Sequence, residues 1–182
     1  MVFVVSFDRQ LKIGQTAEGK IAQWFKRKGF TILPIYEKVI DTGKGPQLFL
    51  PNASSGEAFN LESSLIAPDM LIFKSEKTFW IEAKYKTAFS WHRITKKWVT
   101  GIDIKHYNDY LKVNDSTAWP VWIVFLHEGG QAKDSPDNSP KGLYGNALSY
   151  LCANENHRSQ NWGNHGMVYW AIDKLKLLGD ST

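Results

Sequence analysis

Between Pro68 and Lys84 the chain carries two apolar runs, Asp69–Phe73 and Thr78–Lys84, on either side of Lys74-Ser75-Glu76-Lys77. Two short aliphatic and aromatic runs divided by a polar tetrapeptide read as an antiparallel hairpin. Counting outward from the turn gives its register. If Phe73 faces Thr78, then Ile72 faces Phe79, Leu71 faces Trp80, Met70 faces Ile81 and Asp69 faces Glu82. Directly opposed residues hold their Cβ atoms only about 4.5–5.5 Å apart on one sheet face, so this register sets two carboxylates against each other. Left alone they repel. A hard divalent cation such as Mg²⁺, which binds through oxygen, removes the repulsion.

Strand alternation adds a third group. Glu82 and Lys84 are two residues apart and project to one face, while Ile81 and Ala83 turn to the other. Two carboxylates and an ammonium on one face suit phosphodiester hydrolysis. The carboxylates hold metal, the metal activates water and offsets charge on the phosphate, and the lysine positions or activates the nucleophile. A Glu-x-Lys alone carries almost no information, and strand faces are commonly just solvated. The signal lies in the combination: Pro68-Asp69 opens one apolar strand and Glu82-Ala83-Lys84 closes the next.

The rest of the chain reads as alternating helices and strands. Gly14 to Lys28 has Ile21, Ala22 and Phe25 at helical spacing, and Gly29 is placed to end that helix. Glu18 sits on the border of its buried stripe. Thr31–Ile40 reads as a strand, with Pro34 marking a bulge or an edge. Residues 41–67 are rich in turn formers, with a short strand near Gln47–Leu50. Thr100-Gly101-Ile102-Asp103 resembles a helix start, and Ile104, Tyr107 and Leu111 give that helix an apolar face ending near Val113. Val121–Leu126 is a buried strand, Gly129–Gly142 a long polar loop, Leu143–Leu151 a short helix and Met167–Ile172 a last strand.

Composition narrows the classes. A chain of 182 residues with 43% hydrophobic and 22% charged residues is a globular domain able to bury its own core. One cysteine, Cys152, allows no internal disulfide, and the expectation is a cytoplasmic protein with neither signal peptide nor membrane span. There is no phosphate-binding glycine loop, and a lone thiol disfavours zinc. His157, His165 and Asn161 are too compactly spaced for an HNH site. The net charge of +4 says little by itself. Its distribution says more: residues 83–102 hold Lys84, Lys86, Arg93, Lys96 and Lys97 and no carboxylate, interleaved with Trp91, His92 and Trp98. By themselves these residues describe a solvated basic hairpin. Beside a phosphodiester site, the cations could contact phosphates and a tryptophan could stack on a base, although both tryptophans could equally be core. Lys105, one position off the apolar face of its helix, is a further candidate for substrate contact.

Pro68-Asp69 … Glu82-Ala83-Lys84 resembles the PD-(D/E)xK signature of the restriction-endonuclease-like nucleases. The order helix, strand, hairpin, helix, strand is similar too, and Gly14-Gln15-Thr16-Ala17-Glu18 matches the G-x-x-x-E of the first helix. The region resembling Holliday-junction-resolvase-like and phage or prophage nucleases spans roughly 14–126, with 127–182 as a C-terminal extension of one domain. The resemblance implies an α/β fold with a mixed central sheet flanked by helices, and Mg²⁺- or Mn²⁺-dependent cleavage of DNA, RNA being left open. It implies Asp69, Glu82, the Ala83 carbonyl and Glu18 as metal ligands and Lys84 as catalytic lysine. Lys86, Arg93, Lys96, Lys97 and Lys105 would meet nucleic acid, and a homodimer is compatible with it. The alternative is a catalytically inactive nucleic-acid-binding protein that retains the nuclease fold.

Overall fold

The computed structural model describes residues 7–35, 66–163 and 165–180, and side chains from residue 14 onward. In chain order the elements are α1 (Phe7–Arg27), β1 (Thr31–Pro34), β2 (Met70–Lys74), β3 (Lys77–Lys86), β4 (Ser90–His92), β5 (Lys97–Asp103), α2 (Ile104–Ser116) and β6 (Val121–His127). They continue with β7 (Gly130–Gln131), β8 (Asn138–Ser139), β9 (Gly142–Ala147), α3 (Leu148–Cys152), β10 (His157–Ser159), β11 (Met167–Ala171) and β12 (Lys176–Gly179).

The central sheet has six strands in the order β1-β2-β3-β6-β9-β12. Its β3–β6 ladder is parallel and its other ladders antiparallel, so the sheet is mixed. Alternation along β3 divides its side chains between two cores. Ile81 and Ala83 join Ala17, Ile21 and Phe25 of α1, with Met70, Ile72, Val124 and Leu126, in one apolar cluster. The other cluster joins Ile123 and Phe125 to Tyr107, Tyr110 and Val113 of α2, Leu148 and Leu151 of α3, and Val168 and Trp170 of β11. Glu82 and Lys84, being out of phase with Ile81 and Ala83, turn toward the α2 layer.

A second sheet, β10-β11-β5-β4, adjoins the α2 layer. Gly101 is required there. A Cβ at that position would stand 2.2 Å from the Val168 carbonyl oxygen and 2.8 Å from the Tyr169 ring, so only glycine lets β5 and β11 approach.

The hairpin register matches the count from the turn: Met70↔Ile81, Leu71↔Trp80, Ile72↔Phe79 and Phe73↔Thr78. Its turn is tighter than a tetrapeptide, because Lys74 pairs with Lys77 and only Ser75 (φ 51°) and Glu76 remain in the bend. Helix α1 closes as expected at Gly29 (φ 83°). The Phe30 amide donates to the Phe25 carbonyl and the Gly29 amide to that of Lys26, the double bond of a Schellman end. Pro34 lies in edge strand β1, where its missing amide costs no ladder bond. The expectations for 36–65, including Ile40 and a strand at Gln47–Leu50, lie outside the described residues.

Three expectations change. Thr100–Asp103 is strand, not the start of a helix: β11 pairs with it from Thr100↔Trp170 to Asp103↔Met167, and α2 begins at Ile104. Asp103 is the helix cap, its Oδ1 accepting from the Lys105 amide at 2.8 Å. Leu143–Ala147 is strand β9, paired with β6 on one side and β12 on the other, and only Leu148–Cys152 is helical. Within Gly129–Gly142, β7 and β8 form a small antiparallel pair.

Candidate active site

Asp69 precedes β2 by one residue, so it sits just outside the ladder instead of forming a backbone pair with Glu82. Its carboxylate replaces the missing bond: Oδ2 accepts the Ala83 amide at 2.8 Å, while its carbonyl accepts from the Ile35 amide at 2.9 Å. Asp69 is thereby fixed beside β3, 5% exposed. Glu82 is wholly buried. Its Oε1 accepts from the Lys84 ammonium in a close ion pair. Its Oε2 is buried with no hydrogen-bond partner, although the Tyr110 hydroxyl of α2 approaches the carboxylate.

The electrostatics follow from this crowding. Burial raises the Glu82 pKa; Lys84 opposes that shift, the Asp69 charge reinforces it, and Tyr110 opposes it weakly. Tyr110 is pushed up in turn, chiefly by burial and then by the Glu82 charge. The Lys84 ammonium lies 5.9 Å from the Tyr110 ring centroid, a cation–π distance. His106, one turn before Tyr110 and near parallel to it, has a buried Nδ1 without a partner. Its pKa is lowered by burial first and by Lys84 second.

Asp69, Glu82 and Lys84 are thus brought together on the α2 side of β3. Glu18 is half-buried on α1, whose apolar face packs against the Ile81 and Ala83 side of the sheet. Among the described residues no three His, Cys, Asp or Glu side chains converge as a metal-holding group, so Glu18 does not complete one with the carboxylate pair. The pair itself fits a hard cation. Asp69 and Glu82 supply oxygen donors, and Oε2 is a buried anionic atom with nothing to satisfy it.

The basic residues are placed unequally. Lys86 continues the inward face of Glu82 and Lys84, is half-buried, and has its pKa lowered to about 8 by burial and then by Lys84. Arg93 is ion-paired with Asp134, and Lys97 donates to Asp173 at 2.8 Å. Lys96 and Lys105 are exposed. Trp91 and Trp98 pair across β4 and β5 and pack edge to face at 5.2 Å. Tyr107 is a core residue whose hydroxyl donates to Glu155. Sequence reasoning missed Tyr110, although it falls three residues after Tyr107, on the face already recognised as apolar.

Neither a protein-family model nor a curated protein sequence matches the chain. In three dimensions it is similar to the solved structure of Hjc, a Holliday junction resolvase from the archaeal hyperthermophile Archaeoglobus fulgidus. The likeness has a TM-score of 0.50 and covers 88% of this chain and 85% of that one, at 6% identity. At that identity it is a likeness of fold. The class it defines is restriction-endonuclease-like, a mixed sheet flanked by helices. No helix among the described residues is long and apolar enough to cross a membrane.

Proposed function

We propose that the chain is a metal-dependent nuclease that hydrolyses phosphodiester bonds in DNA. The observation that carries this reading is the buried trio of Asp69, Glu82 and Lys84, with Glu82 Oε2 left unpartnered. Burying two carboxylates side by side is costly unless a cation compensates them, and one lysine meets only one carboxylate oxygen. Asp69 and Glu82 would hold Mg²⁺ or Mn²⁺ together with the Ala83 carbonyl. The cation, when bound, supplies Lewis acidity at the scissile phosphate and lowers the pKa of a coordinated water.

The chain's own groups do the rest. The Ala83 amide anchors the Asp69 carboxylate beside β3 through Oδ2. Lys84 offers a positive charge where phosphate anion must be accommodated, and Tyr110 and Lys84 together restrict Glu82 to one rotamer. Exposed Lys96 and Lys105 are the cations best placed to meet backbone phosphates, with Lys86, Arg93 and Lys97 adding to the field around them. The fold shared with a Holliday junction resolvase favours DNA as substrate.

The test compares wild type with Lys84→Ala and Glu82→Ala on duplex, junction, flap and single-stranded DNA, with Mg²⁺ or Mn²⁺. Wild type should cleave at least one form, and each variant should lose about a hundredfold or more. Equal cleavage by all three proteins would overturn the assignment. Binding that survives chelation, with no cleavage of any form, would assign the chain to inactive nucleic-acid-binding proteins of this fold.

A further inference from the structure

The second sheet carries a cavity of about 410 Å³ that the carboxylate site does not use. A column of aromatic rings forms part of its lining. His92 of β4, His157 of β10 and Tyr169 of β11 form a continuous stack, with centroids 4.1 and 4.5 Å apart and planes within 11° and 5°. Trp91 lines the cavity beside them, and Trp162 stands at its rim 69% exposed. A tryptophan left in water beside an aromatic wall is apolar surface without a folding role. The His157 pKa is lowered, by burial and then by His92, which keeps that ring a neutral aromatic plane.

The polar groups suit a heterocycle. Nδ1 of His92 is engaged by Thr95 Oγ1 and Nδ1 of His157 by Asn156 Oδ1, so Nε2 is the nitrogen each ring can offer to a ligand. Ser90 and Ser159 add hydroxyls to the lining. Arg158 also lines the cavity, its guanidinium held by both oxygens of Glu155 at 2.7 and 2.8 Å. The segment that builds β4 and β5 supplies Arg93, Lys96 and Lys97 and no carboxylate before Asp103. Arg93, Lys97 and Arg158 are paired with Asp134, Asp173 and Glu155, so the slot is chiefly aromatic, with Lys96 adding positive charge nearby.

The cavity is joined to the carboxylate site by the chain itself. Strand β5 runs without a loop into α2, which presents His106 and Tyr110 toward Lys84 and Glu82. Gly163 and Gly166 lie at the same junction, Gly163 against Asp103 and the Ile104 amide donating to the Gly166 carbonyl. From these observations we infer that the cavity on the second sheet binds an unpaired base of a nucleic-acid strand, stacked on the exposed ring of Trp162 and set beside the His92–His157–Tyr169 column. This deepens the nuclease reading and rests on it: the substrate would carry a single-stranded segment near the bond to be cut. Base-on-aromatic stacking tolerates any base, so the site selects strand state and not sequence.

Binding can be separated from cleavage by working in EDTA. The probes are a short oligothymidylate, an abasic oligonucleotide of equal length, and the matched duplex, measured by anisotropy against wild type, Trp162→Ala, His92→Ala and Trp119→Ala. Wild type and Trp119→Ala should bind the oligothymidylate with similar Kd, and Trp162→Ala and His92→Ala should each bind it about tenfold more weakly. The abasic strand should bind wild type no better than it binds Trp162→Ala. Trp162 is exposed, so its removal leaves the fold intact; a melting curve verifies this. If Trp162→Ala and His92→Ala bind as wild type does, or if the abasic strand binds wild type as tightly as oligothymidylate, the inference falls. Neither result depends on whether Lys84→Ala abolishes cleavage, which bears only on the nuclease reading.

Discussion

Replacing Lys84 by methionine tests the electrostatics of the site without any substrate. Methionine keeps the length and apolar stem of the lysine and removes its ammonium, leaving Glu82 buried with no cation beside it and only the Tyr110 hydroxyl approaching its carboxylate. Stripping one partner from a buried pair costs about 3–5 kcal/mol. The Lys84 side chain retains 28% of its exposure, so the pair is partly solvated at one end and about 3 kcal/mol is the better figure. For a chain of this length that is a drop in Tm of roughly 6–12 °C. The loss must depend on pH. The Glu82 pKa in the folded protein already lies above its ordinary 4.5, and losing the Lys84 charge moves it further up. Between the unfolded and folded values the native state holds the extra proton, so stability falls as pH rises through that window. Below about pH 4.5 Glu82 is protonated in both states and the variant should melt close to wild type, apart from packing differences. Thermal or urea denaturation from about pH 4 to pH 8 reads this out, and adding Glu82→Gln to Lys84→Met should recover most of the loss. A deficit of equal size at both ends of the range, or none at about pH 8, would refute the burial argument.

Two further outcomes are expected. Millimolar Mg²⁺ or Mn²⁺ should raise the Tm of wild type, by about 2.7 kcal/mol of added stability at a hundredfold excess over Kd, and Asp69→Asn or Glu82→Gln should abolish the rise; an undiminished rise in both variants would place the cation elsewhere. Gly101→Ala should destabilise by at least about 3 kcal/mol in urea, because its Cβ meets a backbone carbonyl that cannot step aside, and a change under 1 kcal/mol (about the size of an ordinary surface substitution) would contradict the β5–β11 packing.

What could be read in the sequence is what local rules determine. The register from Met70↔Ile81 to Phe73↔Thr78 follows from a short turn and period-two alternation, and Gly29 ends α1 because an αL position needs a residue without Cβ. The second sheet was illegible for the opposite reason. Strand β11 meets β5 only through distant pairing, and Thr100-x-x-Asp103 imitates a helix cap when that pairing is unknown. Leu143–Ala147 is apolar enough for either state, and its two strand neighbours decide it. Lys86 was legible in principle: extending β3 by two residues carries the i+2 rule inward from Glu82 through Lys84. Glu18 shows the limit of a motif. Its spacing from Gly14 is local, but its distance from Asp69 and Glu82 depends on how α1 lies across the sheet.

The parallel pairing of β3 with β6 governs when the site can exist at all. The β2–β3 hairpin is local and closes within about 1–10 μs. Glu82 and Lys84 then remain in water until α2 and β6 arrive, because Glu82 pairs with Ile123 across the whole intervening segment. Such non-local closure is the slow part of folding. During synthesis, a chain not yet extended past His127 holds the three charged groups without the layer that buries them. The carboxylate–lysine constellation is therefore an assembly of late birth, and on the proposed reading it would hold no cation until the parallel strand had docked.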